Sequence, residues 1–252
     1  MYMSRMAAVT LLALGVAAPA AAQTADEIVA RHLAARGGEA RLKAIQTIKI
    51  TRTVGTPFTR VDVVIYRKRP GLLRVEQAPA GQPVIARGIN ADAAWDTGAG
   101  GKVTLRPPQI AAEARDLEAD FDGDLLVDWK AKGHAVALEG KEALSGSDTY
   151  KLKVTTKSGA VRTIHLDAAT YLDRQHSGVN TLPNGRKSQF VMTFGNWQDV
   201  KGVKFAFDLD EERNDGQITQ SFATYTRTIE LDTPMADTLF ATPAGATAPA
   251  GK

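Results

Sequence analysis

The sequence predicts a mainly β protein of the α+β class, built on one long antiparallel sheet. Three observations predict it. Residues 148–175 read as a meander: Tyr150, Leu152 and Val154 alternate with Lys151, Lys153 and Thr155, and Arg162, Ile164 and Leu166 alternate with Val161, Thr163 and His165. A period of two puts one set on a dry face and the other on a wet one. The same alternation recurs through most of the chain, most plainly in its last third. Helical spacing, by contrast, is confined to two regions, one following Thr24 and one following Pro108.

The first residues stand apart from that pattern. Arg5 is followed by an apolar run over residues 7–16 and then by small residues ending in Ala20-x-Ala22. This is the layout of a secretory signal peptide, over residues 1–22, cut near Ala22–Gln23. The run is too short for a spanning helix, which needs roughly 20 apolar residues. Residues 23–243 read as a single domain, and residues 244–252, small and low in complexity, as a disordered tail. A chain of 252 residues, 44% hydrophobic and 23% charged, is ordinary for one β-rich globular domain. The formal charge of +3 is spread along the chain, whereas a nucleic-acid binder needs it clustered. There is no cysteine, which excludes disulfides, thiolate metal sites and cysteine nucleophiles together, and also the lipid-bearing cysteine of bacterial lipoproteins. The expectation is a soluble protein of the bacterial periplasm.

Taken in order, the elements have local reasons. Thr24-x-x-Glu27 is a capping box, and Ile28, Val29, His32 and Leu33 follow at helical spacing until Gly37-Gly38 stops the run. A short helix over residues 39–45 carries Leu42 and Ile45. Strands are predicted over residues 46–54, with Ile48, Ile50 and Val54 in phase and Arg52 as an exception, and over 58–69, with Val61, Val63 and Ile65 in phase. Arg69-Pro70-Gly71 is a turn. Strands at 72–77 and 84–90, a short one at Trp95 and one at 102–106 come next. Pro107-Pro108 stops the last of these and suits a first helical turn, so residues 109–119 read as a helix with Ile110, Ala111, Ala114 and Leu117 on one face. Phe121, Leu125, Leu126 and Trp129 suggest a short second helix. Strands resume at 134–138 and continue through the meander, whose hairpin link is Lys157-Ser158-Gly159. Phe190, Met192 and Phe194 are in phase, as are Val203, Phe205, Phe207 and Leu209. Asn184-Gly185 and Asp215-Gly216 are hairpin signals. A last strand covers residues 217–230, and Leu239 and Phe240 dock a closing segment.

That inventory sets a packing problem. A sheet of about ten or eleven strands must curl or close on itself. Its concave apolar wall has only two helical regions to cover it, and these offer roughly half as many large apolar side chains as the strands. Two outcomes stay open at this point: a fully packed core, or an interior covered incompletely or by a movable lid. An acyl chain placed there gains about 0.8 kcal/mol for each buried methylene.

Chemistry is scarce. His32, His134, His165 and His176 are scattered and form no His-Glu-x-x-His motif, so structural roles are expected. Asp120-x-Asp122-x-Asp124 opens like a calcium loop but has Leu125 and Ala131 where Gly and Glu belong, so a turn and cap are expected. Residues 98–102 are glycine-rich without the spacing of a phosphate loop, and Ser145 and Ser147 make no nucleophile elbow. Asp208, Asp210, Glu211 and Glu212 read as a solvated outer face. Arg67, Lys68, Arg69 and Arg74 read as a solvated strand end, or as a patch for anionic head groups or an acidic partner. No metal, cofactor or catalytic residue is assigned, and the chain is read as a non-enzyme.

Five segments, in order, carry a family likeness. Residues 25–50, ADEIVARHLAARGGEARLKAIQTIKI, resemble the opening of outer-membrane lipoprotein-sorting, LolA-like proteins: helix, Gly-Gly, short helix, first strand. Residues 69–76, RPGLLRVE, are similar to the family's proline-led strand. Residues 150–154, YKLKV, with 164–171, IHLDAATY, resemble its central hairpin; 199–205, DVKGVKF, and 237–240, DTLF, its late strand and closing segment. The resemblance implies an unclosed antiparallel β-barrel with an α-helical lid over a hydrophobic cavity. It implies a periplasmic carrier of lipoprotein acyl chains or other lipids, exchanging them with inner- or outer-membrane donor and acceptor proteins. The alternative it leaves is a sensor or interaction module of the same fold that acts through a protein partner. On this reading Val61, Val63, Ile65, Phe190, Phe194, Phe205 and Phe207 form the cavity wall, and Ile110, Leu117 and Leu125 belong to the lid.

Overall fold

The computed structural model describes residues 23–56, 58–118, 124–182 and 184–248. Helix α1 (Ala25–Arg36) and α2 (Glu39–Ala44) precede six strands: β1 (Thr47–Gly55), β2 (Arg60–Lys68), β3 (Leu72–Pro79), β4 (Ile85–Ile89), β5 (Ala94–Thr97) and β6 (Val103–Leu105). Helix α3 (Pro108–Leu117) follows. Then come β7 (Ala135–Leu144), β8 (Ser147–Thr155), β9 (Val161–Asp167), β10 (Asp173–Thr181), β11 (Lys187–Val200), β12 (Val203–Asn214) and β13 (Thr219–Leu231), and a 3-10 turn at Asp237–Phe240.

All thirteen strands join one sheet in the order β6-β5-β4-β3-β2-β1-β13-β12-β11-β10-β9-β8-β7. Every neighbouring pair is antiparallel. The order has a simple origin. The chain lays down one meander outward from β1 and a second inward to β13, and its first and last strands then pair, with Ile50 opposite Ile229. The two ends, β6 and β7, do not pair with each other, so the barrel is unclosed. The mainly β, unclosed architecture expected from the sequence is the one observed.

Local causes account for the helices. The capping box of α1 is present: Glu27 N donates to Thr24 Oγ1 at 3.2 Å and Thr24 N to Glu27 Oε2 at 3.0 Å. Gly37, at φ +124°, ends the helix where it abuts the β11–β12 turn; a Cβ there would lie 2.2 Å from the Gly202 carbonyl oxygen. Pro108 opens α3 without losing a hydrogen bond it could have made.

Two cores result. The larger lies under α1 and α2 and takes Ile28, Ile48, Ile50, Leu152, Val154, Ile164, Leu166, Val203 and Phe205. The central meander therefore contributes its dry face to this core, with Leu152, Val154, Ile164 and Leu166 each no more than 1% exposed. The smaller lies under α3 and takes Val63, Leu73, Val75, Ile89 and Ala94.

Several details differ from the sequence expectation. Among the described residues there are thirteen strands rather than ten or eleven, and the short β5 and β6 expected from the sequence pair as members of the same sheet. Within the meander the third strand, β10, starts only at Asp173, since Tyr171 takes a left-handed backbone at φ +59° and belongs to the turn. Residues 124–130 form no second helix; Leu125, Leu126 and Val127 are buried from turns, while Phe121 lies outside the described residues. The tail read as disordered from residue 244 is described as far as 248, and Thr247 pairs in parallel with Thr104 on the β6 edge. Residues 1–22, read as the signal peptide, lie outside the described residues.

Candidate functional site

Between α3 and the inner face of the sheet lies a cavity of about 690 Å³. That is within the range of roughly 300–1,000 Å³ typical of ligand pockets. Of the wall residues named from sequence, Val63, Ile65, Phe190, Phe194 and Phe205 border it, and so do Ile110, Leu117 and Leu125. Val61 and Phe207 do not. Val61, the second residue of β2, packs against the smaller core, and Phe207 packs against the larger one.

The cavity is more charged than an apolar face would give. Arg36, Arg52, Arg67, Arg87, Arg106, Arg162 and Arg213 border it, with Asp96, Glu113, Glu118, Asp124, Asp173 and Glu211. Strand phase explains part of this. Arg52 is in phase with Ile48 and Ile50, Arg67 with Val63 and Ile65, Arg162 with Ile164 and Leu166, and Arg213 with Leu209. Each of these strands has an apolar stripe that carries a guanidinium, whose aliphatic stem suits the stripe and whose head meets the cavity.

Helix α3 covers the cavity with little apolar anchorage. It buries only Ala111 and Ala114. Its three carboxylates instead reach to both sides. Glu118 accepts from Arg106 Nη1 at 2.7 Å and lies 3.4 Å from Arg87, while Arg106 also holds Asp96 in a fork at 2.8 and 2.9 Å. Glu113 accepts from Thr181 N at 3.1 Å and Thr181 Oγ1 at 2.7 Å, and Asp116 from Ser158 N at 2.6 Å. The helix thus ties the β5–β6 side of the open barrel to the β8–β10 side. Burial works against the charge on Glu118, but Arg87 and Arg106 outweigh it and hold its pKa below the usual carboxylate range. Arg106 is raised despite burial by Asp96 and Glu118.

A second charged group sits where α1 meets the cavity. His32 and Arg36, one turn apart, face Asp124 from the turn after α3 and Asp173 from β10. His32 Nδ1 is 2.9 Å from the Tyr171 carbonyl oxygen, which makes Nδ1 the donor and leaves Nε2 at 3.7 Å from Asp124 and 3.9 Å from Asp173. These are ion-pair separations beyond hydrogen-bond range. Arg36 Nη1 lies 3.3 Å from Asp124 and 3.7 Å from Asp173, and Arg36 Nε donates to the Lys204 carbonyl at 2.7 Å. His176 Nε2 is 2.8 Å from Asp173 Oδ1. Asp124 Oδ1 also accepts from Leu126 N at 2.9 Å, which closes a turn as expected for the end of the acidic repeat, with no helix after it to cap; Asp120 and Asp122 lie outside the described residues. Burial opposes every charge here. For His32 the facing Asp173 and then Asp124 prevail, and its pKa is raised. For Asp124 the facing His32 and Arg36 prevail, and its pKa is lowered. Asp173 is lowered to about 2 against burial by His32, His176 and Arg36.

This group can hold charge and fix α1 to the segment after α3. Among the described residues neither His32 nor His176 hydrogen-bonds a hydroxyl that a base would activate, and no cluster is placed to hold a metal ion. The other histidines are pinned elsewhere: His165 Nε2 to Glu142 at 2.6 Å, and His134 Nδ1 accepting from Lys157 N at 3.2 Å. The basic group read as a solvated strand end, or as a patch for anionic partners, is taken up within the fold. Lys68 reaches Asp237 at 2.7 Å, Arg69 the Ile45 carbonyl at 2.9 Å and Arg74 Glu76 at 2.7 Å, while Arg67 borders the cavity. The acidic run read as an outer face divides. Asp210 is exposed, whereas Glu211 is turned inward and grips Arg213 through two contacts of 2.7 Å.

No family profile and no curated protein matches this sequence. Solved structures do match. A LolA superfamily protein from Nitrosomonas europaea superposes with a TM-score of 0.57 at 14% identity, over 87% of this chain and 98% of that one. A DUF1329 family protein from Desulfovibrio piger gives 0.56 at 14% identity, over 86% and 97%. At such identity the likeness speaks for fold. Thirteen antiparallel strands left unclosed, helices on the concave side and near full-length superposition lead to one statement: the chain has the LolA-like fold.

Proposed function

We propose that this protein is a non-enzymatic periplasmic carrier that holds lipoprotein acyl chains or other lipids in the cavity beneath α3. The observation that carries the reading is the cavity itself: about 690 Å³, walled by Val63, Ile65, Phe190, Phe194 and Leu209, and roofed by a helix held mainly through polar ties. A packed core would have filled that space, since protein interiors approach crystal density. The scarcity of reactive groups in the sequence supports holding over transforming. The signal-peptide reading supports a periplasmic site of action, with membrane donors and acceptors as partners.

The test is saturable uptake of the neutral fluorophore N-phenyl-1-naphthylamine by residues 23–252, with displacement by long-chain lipids. Thr224→Trp, which adds bulk to a residue bordering the cavity, is expected to cut uptake at least tenfold. No saturable uptake, or uptake indifferent to Thr224→Trp, counts against the cavity as the site.

A further inference from the structure

We infer that Arg162 is an anion receptor inside the cavity, so that the ligand is an amphiphile with a carboxylate or phosphate on its chain. The inference rests on the carrier reading and narrows the class of ligand.

The geometry is built around the guanidinium. Arg162 on β9, Gly178 on β10, Phe190 on β11 and Arg213 on β12 form one row across four neighbouring strands. Arg162 lies flat across β10 because position 178 has no side chain. A Cβ there would stand 2.9 Å from Arg162 Cδ and 3.0 Å from Nη1. The guanidinium then rests 5.0 Å from the centre of the Phe190 ring. Nη1 donates to the Val161 and Val179 carbonyls, both at 2.9 Å, and Nη2 to Asn180 Oδ1 at 2.6 Å.

Three of five N–H groups are therefore used, and all three partners are neutral. The Nε–H and the second Nη2–H have no hydrogen-bond partner among the described residues. Together they are the two donors of a fork that fits a carboxylate or phosphate. The contrast within the row is direct: Arg213 has its carboxylate, Glu211, at 2.7 Å on two nitrogens. Arg106 likewise has Asp96 and Glu118. The carboxylate that acts on Arg162, Glu113, does so through space while its oxygens bind Thr181.

Burying a guanidinium without a direct counter-charge is expensive, and arginine does not escape by losing its proton. Arg162 is only 5% exposed, and burial lowers its pKa despite Glu113. An arriving oxyanion completes the fork and supplies the missing charge, while its chain runs along Phe190, Phe194 and Leu209. A neutral acylglycerol or ester supplies neither.

The experiment uses residues 23–252 loaded with N-phenyl-1-naphthylamine and compares displacement by matched pairs: hexadecanoic acid against methyl hexadecanoate, and a lysophosphatidylglycerol against a monoacylglycerol. The acid and the phosphate lipid are expected to bind at least tenfold tighter than their neutral partners; whichever pair shows the larger ratio identifies carboxylate or phosphate as the preferred group. Arg162→Gln, which keeps hydrogen-bonding capacity but not charge, is expected to erase the ratio. Gly178→Ala keeps the charge but displaces the guanidinium, and is expected to reduce the ratio severalfold, so a failure of one variant to fold does not stop the test. Equal binding of charged and neutral partners by the wild type, or a ratio that survives both variants, overturns the inference while leaving the carrier reading intact. Absence of any binding overturns both.

Discussion

His32, Arg36, Asp124 and Asp173 are each less than a tenth exposed, yet all four are ionisable. Their pairing sets how stability varies with pH. Asp173 has a folded pKa of about 2 against an ordinary 3.8, so its contribution is present above pH 3.8 and is lost as pH falls through about 2. His32 is raised above its ordinary 6.5, so its contribution is present below that value and is lost as pH rises through the higher folded one. Urea midpoints measured from pH 2 to 9 are expected to be highest between about pH 4 and 6.5 from this group. Asp173→Asn should flatten the acid side and His32→Gln the alkaline side. At pH 6, Asp173→Ala should cost roughly 3–5 kcal/mol, because Arg36 and His32 then keep one carboxylate between them. A profile unchanged in both variants would show the cluster to be inert. Sequence spacing put His32 on the buried side of α1 as a structural residue, and that is where it stands. What spacing did not show was its partners, because Asp124 and Asp173 arrive from turns and strand ends far along the chain. The inward arginines were legible in a different way: Arg162 and Arg67 stand in phase with apolar neighbours, and only the habit of reading arginine as surface hides them.

At the scale of elements, α3 and the central meander are held by opposite means. The meander is held by apolar burial. Leu152, fully buried between Ile164 on β9 and Leu138 on β7, should cost about 2–5 kcal/mol when cut to alanine, as read from the urea midpoint. Helix α3 buries two alanines and relies on Glu113, Asp116 and Glu118. Replacing Glu113 and Glu118 by alanine should raise amide exchange in α3 at least tenfold and leave exchange in β8 and β9 unchanged, since α3 can open without the core. Equal protection in the double variant would mean that apolar contact suffices to hold the helix. The elements with strong periodicity or caps, such as α1, α3 and β12, were legible because their signals are local. The segment at 124–130 was not: its apolar residues lack a period, and burial from turns depends on where the cavity edge runs.

Over the whole molecule, the open barrel depends on a seam between the chain's first and last strands. Ile50 is 1% exposed at that seam, opposite Ile229. Ile50→Ala should lower stability by about 2–5 kcal/mol and broaden loss of structure to both meanders together, as checked by coincident circular dichroism and tryptophan fluorescence transitions. The strand alternation foretold a long antiparallel sheet that must curl or close, and the family resemblance that it stays unclosed; neither foretold the strand order, which is set by pairing across nearly the full length of the chain. Nor did it foretell a cavity that is part apolar wall and part arginine network. The load proposed for this cavity is an acyl chain. Native mass spectrometry of residues 23–252 purified without detergent, followed by lipid extraction, tests it most directly. A bound acyl-bearing molecule is expected at one per chain, lost in Thr224→Trp. A homogeneous empty chain that also takes up no added lipid would contradict it.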